Sequence, residues 1–121
     1  MREILIVDDA AIVCRVASQI FENFHMRPYE ARDAAAALEI CARRMPDIVL
    51  LDMHMPETDS FELLATLRGM AGSENAFMIS CFVANSPELV ARALSAGANG
   101  VMLKPFDEPI MKAKFVDMGL L

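Results

Sequence analysis

What the chain is short of bounds it first. Its 121 residues carry no low-complexity run, internal repeat or linker, so residues 1–121 read as one domain with one real core. No apolar stretch approaches the length of a bilayer crossing. The first apolar run, Ile4 to Val7, is too short for a signal peptide and leads straight into Asp8-Asp9. A soluble, cytoplasmic protein with no membrane contact is expected. Basic charge is also scarce. The net charge of -6 argues against nucleic acid as a direct partner, because that would require a basic face. Phosphate chemistry stays open, provided a divalent cation offsets the acid. The cysteines are few and odd in number, Cys14, Cys41 and Cys81, and each falls within an expected helix or strand. They read as buried reduced thiols. His25 and His54 are isolated and lack zinc-type spacing. No glycine-rich phosphate fingerprint is present, which argues against a dinucleotide fold.

What is there is organised around Pro46-Asp47-Ile48-Val49-Leu50-Leu51-Asp52-Met53-His54-Met55-Pro56. Ile48 to Leu51 form an apolar run too short for a helix, as expected of a strand buried on both faces of a parallel sheet. The run ends in a carboxylate, and Met55 to Asp59 reads as a loop punctuated by Pro56. Asp52 is therefore expected at the carboxyl end of a central strand, where open α/β sheets place their ligands.

The remaining elements follow in order. Glu3 to Val7 is a first strand, ending at Asp8-Asp9. Ile12, Val16, Ile20 and Phe24, with Val13, Ala17 and Phe21, recur at helical spacing and form one expected stripe. Arg27 to Ala31 is a second strand in which Pro28 points to an edge position. Asp33 caps a second helix whose face includes Ala37, Leu38, Cys41 and Met45. Asp59 and Glu62 have capping-box spacing and start a third helix with Phe61, Leu64, Ala65 and Leu67, ended by Gly69 and Gly72. Ala76 to Cys81 is a fourth strand, followed by a loop from Phe82 to Asn85. Ser86 and Pro87 open a fourth helix that closes at Gly97. Val101 to Leu103 is a fifth strand, ending at Lys104-Pro105, and a last helix begins near Asp107 and carries Ile110, Met111, Phe115 and Met118. The alternation predicts an α/β fold, a doubly wound five-stranded parallel sheet with helices on both faces.

Asp8, Asp9, Asp52 and Lys104 then leave the same edge of that sheet. Two carboxylates about 4 Å apart repel by roughly 4 kcal/mol at the effective dielectric of a protein edge, so the cluster needs a raised pKa or a cation. Magnesium suits it, taking oxygen ligands from one or two carboxylates together with water and phosphate oxygens. Lys104 supplies a point charge for a phosphoryl oxygen. With Ile-Val-Asp8-Asp9, Leu-Leu-Asp52-Met-His-Met-Pro56, Ala96-Gly97-Ala98-Asn99-Gly100 and Leu-Lys104-Pro105-Phe106, the whole chain resembles the receiver domain of bacterial two-component response regulators, the CheY-like family.

The resemblance implies a flavodoxin-like (βα)5 fold with strand order 2-1-3-4-5. It also implies a phosphorelay signalling domain, not an enzyme, in which Asp52 accepts a phosphoryl group from a histidine kinase, a histidine phosphotransferase or a small phosphodonor. Asp9, Asp52 and the His54 backbone carbonyl would hold Mg2+ directly, and Asp8 through water. Lys104 would contact the phosphoryl group, with a cis bond before Pro105. A downstream protein would dock on helix 4, strand 5 and helix 5. No output domain is expected after Leu121, so any effect is expected to pass through another protein.

The chain departs from the family at the switch. Members usually carry Thr or Ser at the end of strand four; the usual spacing from Lys104 lands on Phe82, with Cys81 or Ser80 reached only by a shift. An aromatic usually precedes the lysine by three residues, where Val101 stands. A hydrogen bond to a charged group contributes roughly 1.5–3 kcal/mol, comparable to an allosteric coupling of about 1–3 kcal/mol. Its loss predicts an acceptor site with weakened or rerouted output. The alternative is a pseudo-receiver that binds its partner without phosphorylation. A phosphatase with an aspartate nucleophile needs a second acid two residues after the first, and position 54 is His. His54 and Ala84 stand where the family tunes dephosphorylation.

Overall fold

The computed structural model describes all 121 residues. Five strands, β1 (Glu3–Val7), β2 (Arg27–Ala31), β3 (Ile48–Asp52), β4 (Phe77–Phe82) and β5 (Gly100–Leu103), alternate with five helices. The helices are α1 (Ala11–Asn23), α2 (Ala34–Arg43), α3 (Ser60–Arg68), α4 (Pro87–Ala96) and α5 (Glu108–Asp117), with a single 3-10 turn at Ser73–Asn75. All strand pairs are parallel, in the order β2-β1-β3-β4-β5. β3 is therefore central, and β2, which carries Pro28, is an edge.

The continuous apolar runs are explained by two cores. Leu5, Val7, Val49, Leu51, Met78 and Phe82 face α2, α3 and α4, where Cys41, Leu64, Leu67 and Ala93 close the layer. Ile4, Ile6, Ile48, Leu50, Ile79, Cys81 and Met102 face α1 and α5, against Phe21, Met111 and Phe115. Side chains that alternate in direction along a strand thus find apolar partners on both faces, which is why no polar alternation marks these strands.

Four helices are started by side-chain caps. Asp33 accepts from the Ala36 amide at 2.7 Å, Asp59 from Glu62 at 3.1 Å, Ser86 from Leu89 at 3.3 Å and Asp107 from Ile110 at 2.9 Å. Each satisfies one of the helix-start donors that would otherwise lack a partner.

Several local expectations need correction. β4 runs one residue later than Ala76 to Cys81, because Phe82 pairs with Leu103 and so belongs to the strand rather than to the loop after it. Gly100 likewise joins β5 through its pairing with Ile79. On α1 the buried set is Cys14, Ala17, Ser18, Ile20 and Phe21, whereas Ile12 and Val16 are 69% and 46% exposed. At about 100° per residue those two point away from the sheet. Ala65 is exposed on α3 while Leu63 is buried, and Ile110 is exposed on α5. α2 stops at Arg43, yet Met45 in the following loop still packs against the core. Gly69 alone ends α3; Gly72, at φ 86°, instead opens the 3-10 turn.

Candidate functional site

The carboxyl edge of the sheet gathers three carboxylates, because β1 and β3 are adjacent and both end in acid. One carboxylate oxygen from each of Asp8, Asp9 and Asp52 lies within 4.8 Å of the others. Asp8 and Asp52 are buried and Asp9 is exposed. β5, two strands away, delivers Lys104, whose Nζ lies 2.5 Å from Asp8 Oδ2 and 3.5 Å from Asp52 Oδ1. The Lys104-Pro105 peptide bond is cis.

Main-chain amides fix the two buried carboxylates, and a hydroxyl holds the Asp52 main chain. The Ala10 amide donates to Asp8 Oδ1 at 2.9 Å. The His54 amide donates to Asp52 Oδ1 at 3.1 Å, and the Ser60 hydroxyl donates to the Asp52 carbonyl at 3.0 Å. Asp52 Oδ2 takes no hydrogen bond from the protein. Ser60 was not singled out in the sequence; only its place as the first residue of α3, just after the Asp52 loop, hinted at it.

Electrostatics match this crowding. Burial raises the Asp52 pKa and the Asp8 charge adds to it, against the Lys104 charge and the His54 and Lys104 hydrogen bonds. For Lys104, burial pulls down, but the Asp8 hydrogen bond and the Asp52 and Asp8 charges outweigh it, and the net shift is upward. Both shifts come from one unneutralised acidic cluster in a partly desolvated site. The all-oxygen donor set fits a hard divalent cation such as magnesium and not zinc. Cys81, the register partner of Asp52, is a buried thiol that burial pushes up to about 12, so it brings no nucleophile to the site.

Phe82 and Val101, the positions expected at the switch, lie on β4 and β5. Phe82 is buried at the end of β4, and Val101 is half-buried in β5. Phe82 packs edge-on against His54, ring centroids 5.7 Å apart, and against Phe61 at 6.3 Å. Ser80 lies inside β4 with a fully buried hydroxyl that has no partner. Beside the acidic cluster Ile12, Val13, Val16, Lys104, Pro105 and Phe106 line an open cleft of about 220 Å3. α1 residues that look like core in the sequence thus border the site instead.

Comparisons with known proteins agree with this geometry. Residues 4–115 match the response regulator receiver domain family. The chain is 39% identical over 119 residues to the sensor histidine kinase AruS of Pseudomonas aeruginosa, covering 97% of this chain but spanning only 12% of that protein. It is 34% identical to the chemotaxis protein CheY of Listeria monocytogenes, covering 88% of each chain. Among solved structures it is similar to chemotaxis response regulator CheY4 of Vibrio cholerae, with a TM-score of 0.91, 22% identity and 98% of each chain covered, a likeness of fold.

Proposed function

Because the chain belongs to the response regulator receiver family of two-component systems, we propose that Asp52 is its phosphoryl acceptor, served by a phosphohistidine on a histidine kinase or phosphotransferase. The observation that carries this is the convergence of Asp8, Asp9 and Asp52 within 4.8 Å beside Lys104. Asp52 Oδ2 attacks phosphorus in line as the phosphorus–nitrogen bond of the donor imidazole breaks, and the departing imidazole takes up a proton. Lys104 contacts the phosphoryl oxygens. Its side chain then balances charge on the acceptor instead of on Asp8 alone. Asp9, Asp52 and the His54 carbonyl would hold magnesium, with Asp8 beside them. When bound, the ion neutralises charge on the carboxylates and the incoming phosphoryl group. The downstream protein docks on α4, β5 and α5.

Phe82 and Val101 make the output atypical. No hydroxyl ends β4, so the usual pull toward the phosphoryl group is absent and coupling to the docking face is weak or takes another route. The test is beryllofluoride plus magnesium, titrated into the wild type and Asp52→Ala and followed by amide NMR. Asp52-dependent shifts around Asp8, Asp9 and Lys104 are expected. Shifts spreading strongly over α4, β5 and α5 would contradict weak coupling, and no Asp52-dependent binding would favour the pseudo-receiver.

A further inference from the structure

The end of β4 carries a main-chain donor that is not used as the sheet would use it. In a parallel ladder a residue donates to the strand residue before its level and accepts from the one after it. Met53 N–H donates to the Cys81 carbonyl at 3.0 Å, so the next rung would run from Val83 N–H to the Met53 carbonyl. That rung is replaced by a side chain. Val83 N–H donates to His54 Nε2 at 3.1 Å. An imidazole nitrogen that accepts must be unprotonated, which places the ring proton on Nδ1. The ring is seated edge-on against Phe82, at 77° between planes, and Phe82 is itself buried. His54 therefore ties the loop after β3 to the loop after β4, directly beside Asp52.

We infer that the His54 ring is a removable mask on the Val83 amide, and that phosphorylation of Asp52 transfers this amide from Nε2 to a phosphoryl oxygen. The inference rests on Asp52 being the acceptor. A transferred phosphoryl group spreads charge over three oxygens, and Lys104 with the cation does not exhaust them. Val83 follows the end of β4, two residues past Cys81, the register partner of Asp52. An amide bonded to an anionic oxygen is roughly twice as strong as one bonded to a neutral acceptor, so the exchange runs downhill once charge arrives. Release of the ring removes the edge contact on Phe82. From there the packing continues through Phe61 to Arg92, whose guanidinium lies 4.1 Å above the Phe61 ring. Phe61 is on α3 and Arg92 on α4, so the mask gives the acceptor a route to α3 and α4 that needs no strand-end hydroxyl.

The mask costs the phosphorylated state one neutral hydrogen bond, which corresponds to about a two- to ten-fold loss in affinity for a phosphoryl mimic. The test combines two readouts on the labelled protein. The first is the nitrogen–nitrogen coupling across the Val83-to-His54 hydrogen bond, expected in the free protein and lost on adding beryllofluoride with saturating magnesium. The second is beryllofluoride affinity in His54→Phe, which keeps an aromatic edge on Phe82 but offers no acceptor, and in His54→Ala. Both variants are expected to bind about two- to ten-fold more tightly than the wild type. A coupling that persists in the bound state, or a His54→Phe affinity equal to the wild type, overturns the mask and leaves the acceptor reading standing. Absence of Asp52-dependent binding in the wild type overturns both.

Discussion

At the scale of single residues, the site is strained by its own charge. Burial and Asp8 make Asp52 harder to ionise in the folded chain than in the unfolded one. That cost is absent below the ordinary value of 3.8 and fully present above the raised folded value, so metal-free stability should rise as pH falls through that interval. Asp52→Asn removes the charge at neutral pH and should stabilise the metal-free protein by about 1–2 kcal/mol, after the loss of its bonds to Lys104 and the His54 amide is counted. Thermal melts with and without magnesium check this: the ion should stabilise the wild type more than the variant. Lys104 has the opposite dependence. Its contribution is full below 10.5 and is lost as pH climbs through its raised folded value. Lys104→Ala leaves the buried Asp8 carboxylate without its closest cation and should lower stability by about 1–3 kcal/mol, read by urea denaturation.

At the scale of elements, legibility followed burial. The strands could be read because runs such as Ile48 to Leu51 are apolar on both faces, and the caps because Asp33, Asp59 and Ser86 stand just before apolar periods. The helix faces were less legible. Ile12 and Val16 have the spacing of core residues but lie beyond the sheet's cover, exposed at 69% and 46%. Spacing alone does not tell a core stripe from an apolar border to a site. Arg68 left no signal at all. Its guanidinium bonds the carbonyls of Gly97, Ser73 and Ala76 and the Asn99 side chain, tying α3 to the junction of α4 and β5. Partners so far apart in sequence are invisible to local pattern. Arg68→Ala should destabilise by about 2–4 kcal/mol by leaving several carbonyls short of donors. Gly97→Ala should fail for a related reason. At φ 124° an added Cβ would sit 2.8 Å from Arg68 Cγ. Phe82→Thr puts a hydroxyl at the end of β4 and should widen the shift response to beryllofluoride. It removes a buried ring, so a stability loss of about 3 kcal/mol accompanies it. An unaltered response would refute the role assigned to position 82.

At the scale of the whole molecule, strand order makes the site. The order β2-β1-β3-β4-β5 sets β1 beside β3 and brings β5 within reach through Lys104. Three segments separated by most of the chain therefore meet at one edge. The motifs after strands one, three and five were legible because each interrupts an apolar run with a charge. The ring of His54 was not, since an isolated histidine in a loop carries no mark of the amide it will hold. The central claim is that this edge makes Asp52 a magnesium-dependent phosphoryl acceptor. Its most direct test is intact-mass spectrometry after incubation with a small phosphodonor such as acetyl phosphate, with and without magnesium, on the wild type and Asp52→Ala. A single phosphoryl addition that requires magnesium and vanishes in Asp52→Ala is the expected result. No addition to the wild type, or an addition that survives in Asp52→Ala, would contradict the claim.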